Sequence, residues 1–204
     1  MIAIIDYGLG NINAFINVFN RIGVPVKIAS AIDDLDGSTK IILPGVGAFD
    51  HAMKMLEESG LRPRLDNLVM NRRLPIIGIC VGMQILARSS EEGILPGLGY
   101  VDGIVKRFDP SKILQTTRLP HMGWNSVRPK ESNGLFKSIE KDTRFYFLHS
   151  YYFECFDQSD VLATTDYGGD FSSAIRHGNI YGVQFHPEKS HSAGVRLLQN
   201  FAEL

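Results

Sequence analysis

Short runs of consecutive apolar residues alternate with helix-like segments through the first half of the chain. The runs cover Ile2–Ile5, Val26–Ala29, 40–44 and 75–80. Between the first two runs, apolar side chains recur every three or four residues, as they do on one face of a helix. Strands that are apolar on both faces are typical of a parallel sheet covered by helices. The sequence therefore predicts an α/β fold with a mostly parallel central sheet and helices on both faces.

The second half of the chain changes to strand-like segments that follow one another closely. These segments cover 100–108, 144–153, 161–165, 173–176 and 180–185. A short turn at 177–179 separates the last two, and a final helix is expected near Ser192. No linker rich in proline, glycine or serine interrupts the chain, so we predict a single domain over 1–204 with antiparallel strands added to the sheet.

Composition excludes several functional classes. The 204 residues are enough to bury roughly 70% of the unfolded chain's surface in one core. Lys plus Arg (21) nearly balance Asp plus Glu (22), which argues against a nucleic-acid partner. No apolar run reaches the roughly 20 residues of a membrane span, and the two cysteines are too few for a disulfide framework. We therefore expect a cytoplasmic protein with reduced thiols and no membrane association.

The first chemical signal is Gly78-Ile79-Cys80-Val81-Gly82, directly after an apolar strand. Glycine, nucleophile and glycine at this spacing form the nucleophile elbow, here with cysteine in place of serine. The sharp strand-to-helix turn places the thiol at the positive end of a helix, which favours the thiolate. The alternative is a small buried cysteine at a tight strand–helix junction, and the pattern alone does not separate the two.

The second signal is His186-Pro187-Glu188, at the end of an apolar strand near the C-terminus. A cysteine nucleophile needs a base, and the base needs an acceptor that fixes its tautomer. His186 and Glu188 supply these types, although a lone histidine at a strand end is more often a capping or core residue. His191 lies nearby, but neither the HExxH nor the CxxC spacing occurs, so no metal or other cofactor is expected.

A third signal is the PGVG segment at 44–47, which ends another apolar strand. The glycines Gly45 and Gly47, on either side of Val46, free the backbone to turn its N–H groups toward a developing oxyanion. An ordinary strand-ending turn is the alternative.

These motifs together resemble the class I, triad-type glutamine amidotransferases: GICVGMQ at 78–84, YGVQFHPEKS at 181–190 and PGVG at 44–47. More specific segments are IDYGLGN at 5–11, PHMGWN at 120–125 and YFLHSYY at 146–152. They resemble the glutaminase subunits of imidazole glycerol phosphate synthases, which act in histidine biosynthesis. The resemblance covers essentially the whole chain and implies a flavodoxin-like α/β glutaminase domain.

The resemblance implies a role for each matching position. Cys80 attacks the carboxamide of L-glutamine, His186 carries protons and Glu188 orients His186. The reaction passes through a glutamyl thioester, releasing ammonia and then glutamate. The oxyanion-hole positions are Gly45, Val46, Gly47 and the amide of Val81. The glutamine-binding positions are Gln84, Glu92, Ser150 and Tyr151.

The resemblance also implies a HisF-type (β/α)8 cyclase as partner in a heterodimer. That cyclase receives ammonia through a channel and forms imidazole glycerol phosphate and an aminoimidazole carboxamide ribotide. The positions matching the interface or channel are Asn11, Met122, Trp124, Tyr146 and Lys189. Trp124, the only tryptophan, is either an interface anchor or a core aromatic. In this family the isolated subunit is typically nearly inactive, because the PGVG donor points away until the synthase binds its ligand.

One segment departs from the family pattern. Positions 85–88 read Ile-Leu-Ala-Arg, where the family usually has Leu-Leu-Phe-Glu. The run at 87–92 leans toward a paralogous glutaminase subunit that feeds ammonia to a synthetase modifying nucleotide-activated surface sugars. A partner-independent cysteine hydrolase of the same fold is another alternative. A non-catalytic relative is the weakest alternative, because all three triad positions are present.

Overall fold

The computed structural model describes residues 1–116 and 118–204. The strands are β1 (Ile2–Ile5), β2 (Val26–Ala29), β3 (Lys40–Gly45), β4 (Ile76–Cys80), β5 (Ser89–Ser90), β6 (Gly103–Arg107), β7 (His121–Ser126), β8 (Arg128–Pro129), β9 (Arg144–His149), β10 (Tyr151–Cys155), β11 (Val161–Asp166), β12 (Asp170–His177) and β13 (Ile180–Val183). The α-helices are α1 (Ile12–Arg21), α2 (Phe49–Glu58), α3 (Arg62–Asp66), α4 (Val81–Gln84) and α5 (His191–Glu203).

The centre of the sheet is parallel. Its strands run in the order β2-β1-β3-β4-β13, and each neighbouring pair is parallel. Every residue of β1, β4 and β13 is buried, as a strand covered on both faces requires. The predicted α/β class with a mostly parallel central sheet is confirmed. The elbow and the strand before His186 are therefore neighbours at the middle of the sheet.

Antiparallel strands extend the sheet on the β13 side. β12 pairs with β13 across a turn of two residues, 178–179, within the turn predicted at 177–179. β10 and then β6 follow as antiparallel strands, and β5 pairs parallel to β6. β11 pairs with β12, and β8 pairs with β11. The segment predicted as one strand over 144–153 is interrupted at Ser150. β9 pairs with β7 in a separate two-stranded sheet, whereas β10 belongs to the main sheet. Ser150 thus lies where the chain passes from one sheet to the other.

The three longer helices, α1, α2 and α5, each bury an apolar face. α1 places Phe15, Val18 and Phe19 in the core, and the Asn11 side chain caps it by accepting from the Ala14 N–H at 3.2 Å. α3 ends at Asp66, and the chain continues as a π-helical turn, Asn67–Asn71. α5 begins at His191, next to the expected start at Ser192, and buries Leu198 and Phe201. No helix in the described ranges is long and apolar enough to cross a membrane.

Candidate active site

Cys80 is the last residue of β4 and has a positive φ of 55° with ψ −113°. This conformation is costly for a residue with a side chain, by about 1–3 kcal/mol, and persists only where the surroundings impose it. Tight packing on either side imposes it here. A Cβ at Gly78 would lie 2.5 Å from the Gly82 carbonyl oxygen, and a Cβ at Gly82 would overlap the Leu43 carbonyl oxygen. Both glycines of the motif are needed for this close approach, which is the predicted nucleophile elbow.

His186 follows β13 and is held by two sets of bonds. Its Nδ1 lies 2.8 Å from Glu188 Oε1, with the two side chains 5% and 3% exposed. Its backbone N–H donates to the Tyr146 carbonyl of β9 at 2.8 Å. The Ser190 hydroxyl donates to the His186 carbonyl at 2.6 Å and accepts from the Tyr146 N–H at 3.0 Å. Ring and backbone are therefore both fixed, as the orientation of a catalytic base requires.

The electrostatics of His186 combine two opposing effects. Burial disfavours the charged ring, but hydrogen bonds to Cys80 and Glu188, together with their negative charges, outweigh it and raise the pKa of His186 to about 10. Because Nδ1 faces Glu188, Nε2 is the ring atom left to interact with the Cys80 sulfur. The arrangement favours a protonated His186 ring next to the Cys80 sulfur, the cysteine–histidine pairing found in enzymes with cysteine nucleophiles.

A cavity of about 320 Å³ opens in front of the Cys80 thiol, at the lower end of the size range of small-molecule sites. It brings together residues from the elbow, the PGVG segment, the stretch after β9 and the His186 turn. Its lining residues are Val46, Gly47, Cys80, Val81, Gln84, Glu92, Pro120, Leu148, His149, Ser150, Tyr151, His186 and Lys189. All four candidate glutamine-binding residues are among them. Gly45 lies behind the lining, where a Cβ would meet the Gly82–Val81 backbone.

Several residues of the site were missed from the sequence: the lining residues Pro120, Leu148 and His149, and Gln184 beside the Cys80 sulfur. Gln184 accepts from Gln84 Nε2 at 3.1 Å and donates through its own Nε2 to Cys80 Sγ at 3.7 Å. Gln84 Nε2 also donates to the Tyr151 carbonyl at 3.0 Å. Gln184 precedes His186 by two residues, so the period-2 rule for extended chains could have placed the two side chains on one side.

The carboxylate of Glu92 lies at the cavity rim and binds the N-terminus of α2. Its Oε2 accepts from the Phe49 N–H at 2.8 Å. Burial and the neighbouring Asp50 raise the pKa of Glu92 against the opposing effect of that hydrogen bond. A partly buried carboxylate beside a polar cavity is suited to an ammonium group of a ligand.

The predicted interface residues of β7, β9 and the His186 turn form a cluster. Met122 and Trp124 point outward with 62% and 37% of their surface exposed. Trp124 stacks on His191 at 5.0 Å and meets Tyr146 edge-on at 6.2 Å, while Lys189 Nζ lies 5.7 Å from the Tyr146 ring centre. Trp124 is therefore not a buried core aromatic. Asn11 serves instead as the cap of α1, the helix that contacts the turn Pro187–Lys189.

The segment that departs from the family pattern lies away from the cavity. Arg88 pairs with Asp102 at 2.8 Å and does not line the cavity, and its neighbour Ala87 is buried.

Among residues 1–116 and 118–204, no group of three or more His, Cys, Asp or Glu side chains is placed to hold a metal ion.

Comparison with known proteins agrees with this geometry. The model of the class I glutamine amidotransferase family matches residues 3–204. The chain is 57% identical to the imidazole glycerol phosphate synthase subunit HisH of Bdellovibrio bacteriovorus and 52% identical to that of Leptospira borgpetersenii, each over 100% of both chains. It is 44% identical to the subunit HisH 2 of Pseudomonas aeruginosa, again over 100% of both.

Solved structures share the fold at lower identity. A crystal structure of a glutamine amidotransferase matches with a TM-score of 0.74 at 22% identity, over 98% of this chain and 97% of that one. PurLQS from Thermotoga maritima matches with a TM-score of 0.74 at 17% identity, over 99% and 97%. At these identities the solved structures support the fold alone. The assignment to a family rests on the family model and on the full-length relatives. The chain belongs to the class I glutamine amidotransferases and, within them, to the HisH family.

Proposed function

We propose that this chain is the glutaminase subunit of an imidazole glycerol phosphate synthase, acting in histidine biosynthesis. The observation that carries the proposal is the strained Cys80 elbow facing the same cavity as His186, whose ring is fixed by the buried Glu188. A cysteine, an oriented base and backbone N–H groups in one cavity are the parts of an acyl-transfer site. The family supplies the acyl donor, L-glutamine.

The chemistry follows from the arrangement. The Cys80 thiolate adds to the side-chain carbonyl carbon of glutamine, and the oxyanion is stabilised by N–H groups of Val81 and the segment Gly45–Gly47. His186 gives its proton to the departing nitrogen, the C–N bond breaks, and ammonia leaves a glutamyl thioester. A water molecule then loses a proton to His186 and attacks the thioester, releasing glutamate and the thiolate. Gln84, Glu92, Ser150 and Tyr151 hold the substrate's amino-acid end and backbone.

The partner in this proposal is a HisF-type (β/α)8 cyclase. Free ammonia in water is mostly protonated, so a direct passage to the acceptor site is needed for it to act as a nucleophile. The outward cluster of Met122, Trp124, Tyr146 and Lys189 lies beside the cavity and combines exposed apolar area with a cation. Aromatic residues at the centre of such a patch are typical interface anchors. Asn11, at the cap of α1, is assigned to the rim of the same interface.

The proposal is tested in the reconstituted complex by comparing glutamine-dependent with ammonium-dependent synthesis. Cys80→Ser is expected to abolish glutamine-dependent synthesis and to leave synthesis from added ammonium at raised pH intact, because the cyclase site is separate. Cys155→Ser is the matched control. Cys155 is a buried thiol whose pKa burial raises to about 12, so it is not a nucleophile at neutral pH, and its replacement should keep glutamine-dependent activity. Loss of ammonium-dependent synthesis in Cys80→Ser would contradict the proposal.

A further inference from the structure

Two histidines that the mechanism does not use lie side by side beneath the cavity wall. His121 begins β7 and His149 ends β9, and both are buried. His121 Nδ1 lies 2.9 Å from His149 Nε2. Asn125 Nδ2, four residues along β7, lies 3.1 Å from His121 Nε2, and His149 Nδ1 lies 2.8 Å from the Tyr151 carbonyl oxygen. The three side chains thus form one unbranched series of hydrogen bonds.

The direction of every bond in this series follows from its two ends. A carbonyl oxygen can only accept, so His149 Nδ1 must carry a proton and donate to Tyr151. In a neutral ring His149 Nε2 is then an acceptor, and His121 Nδ1 must donate to it. His121 Nε2 in turn accepts from the Asn125 amide. The Asn125 orientation is fixed independently, because its Oδ1 accepts from the Ser126 N–H at 2.8 Å and its Nδ2 donates to the Asp166 carbonyl at 2.9 Å.

The surroundings keep both rings neutral. His121 stacks between Phe147 at 4.7 Å and Tyr167 at 3.9 Å, and Phe108 lies 5.3 Å from His149. Burial lowers the pKa of His149 to about 3 and that of His121 to about 4, and the proximity of the two rings adds to the effect on His149.

The titratable groups that face the two rings are the phenol of Tyr167, which stacks on His121, and the imidazole of His186. In the described part of the chain, the hydrogen bonds of the four ring nitrogens join them to one another, to an amide and to a carbonyl, with no carboxylate among the partners. No anion is therefore placed to favour an imidazolium.

The series ends at the glutamine site. The Tyr151 carbonyl that accepts from His149 also accepts from Gln84 Nε2 at 3.0 Å, and Gln84 is bonded to Gln184, which contacts the Cys80 sulfur. His149, Ser150 and Tyr151 are all lining residues of the cavity. At its other end the series begins on β7, the strand that carries the exposed Met122 and Trp124. Polar side chains on the inner side of β7 thus connect the outward cluster with the substrate cavity.

We propose that Asn125, His121 and His149 form a directional hydrogen-bond relay that positions the Tyr151 carbonyl, and through it the Gln84 carboxamide, for glutamine binding. The three are positioning residues, since the bonds reach the substrate pocket through Tyr151 and Gln84. The consequence for glutamine rests on the proposed function; the bond directions do not. Simple filling of the core is the competing explanation, and it requires neither a fixed tautomer nor a donor at His149 Nδ1.

The first test reads the tautomers directly. Nitrogen-15 NMR of histidine-labelled protein in the cyclase complex, from pH 5.5 to 8, is expected to show Nδ1 protonated and Nε2 unprotonated in both His121 and His149. The solvent-exposed His51 provides an internal comparison. An Nε2–H tautomer in either ring, or a doubly protonated ring within this range, would overturn the relay. This result does not depend on glutaminase activity, so a failed relay and a failed functional proposal are distinguishable.

The second test compares two replacements of equal shape. His149→Leu removes the donor to Tyr151, whereas His149→Asn keeps an N–H near the position of Nδ1. We expect His149→Leu to raise the KM for glutamine about tenfold, the equivalent of one hydrogen bond, with a smaller change in kcat. His149→Asn should return KM to within about threefold of the original protein. Equal losses in both variants, or an unchanged KM in His149→Leu, would overturn the proposal, and urea unfolding of both variants separates misfolding from mispositioning.

Discussion

Gly82→Ala tests whether the elbow is shaped by contact with the neighbouring strand. Gly82 packs against the backbone of β3 just before the PGVG segment. A Cβ at Gly82 would overlap the Leu43 carbonyl oxygen, and would lie 2.9 Å from the Leu43 carbonyl carbon and 3.1 Å from that of Pro44. All three are backbone atoms, so no side-chain rotation relieves the contact.

The size of the effect follows from these distances. Carbon atoms at optimal contact are about 3.5–4.0 Å apart, so relieving the 2.9 Å contact alone requires β3 and the elbow to separate by roughly 0.6–1.1 Å, and the overlap with the Leu43 oxygen makes this a minimum. Overpacking of this kind costs about 1–3 kcal/mol. In a domain of this size 2 kcal/mol lowers Tm by about 4–8 °C. A displacement near 1 Å at a reacting centre costs on the order of 100-fold in rate, and here it moves the nucleophile relative to the oxyanion segment.

The assay pairs thermal unfolding with glutamate release by the cyclase complex. Gly60→Ala is the matched control, because Gly60 follows α2 by two residues, has φ 71° and has open space around its Cβ position. It should lose about 1–2 kcal/mol through backbone strain alone and keep its kcat. Gly82→Ala should lose roughly 100-fold in kcat. A Gly82→Ala protein with kcat within twofold of the original would refute the packing argument.

Three further predictions concern the triad, pH and docking. Glu188→Gln should reduce kcat less than His186→Ala, because it alters orientation and charge but retains the base; equal losses in steady-state kinetics would contradict the roles assigned. Burial holds the pKa values of His121 and His149 at about 4 and about 3, below the unfolded value near 6.5. The stabilisation contributed by these two neutral rings should therefore be complete above pH 6.5 and fall below it by up to about 1.4 kcal/mol per pH unit for each ring, whereas a flat urea-unfolding free energy between pH 7 and 5 would contradict neutral burial. Trp124→Ala should weaken the affinity for the cyclase by at least tenfold without lowering Tm by more than a few degrees. An unchanged affinity in calorimetry would contradict the placement of Trp124 in the interface.

The parallel half of the fold could be predicted because its strands are apolar on both faces. Residues of β4 are all buried, so their hydrophobicity identifies the strand without any alternation. The elbow could be located for a related reason, since only glycine fits at 78 and 82. In these places local sequence and tertiary environment impose the same requirement.

β7 could not be predicted, because its pattern is inverted. His121 is buried and Met122 and Trp124 are exposed, so the polar residues lie inside and the apolar ones outside. Hydrophobic periodicity assumes the opposite. The interruption at Ser150 was also missed, because 144–153 reads as one continuous strand and only the partners in space show that it serves two sheets. Both failures fall at the proposed substrate and partner surfaces, where sequence commonly departs from local rules.

The most direct measurement of the central claim is glutamate release from glutamine under three conditions. The isolated chain, the chain with a HisF-type cyclase, and that pair with the cyclase's ribonucleotide substrate are compared at equal concentration. Negligible release by the isolated chain and strong stimulation in the complete mixture are predicted. Absence of stimulation would assign the ammonia to another acceptor, such as a surface-sugar synthetase, and rapid hydrolysis by the isolated chain would contradict the two-subunit account.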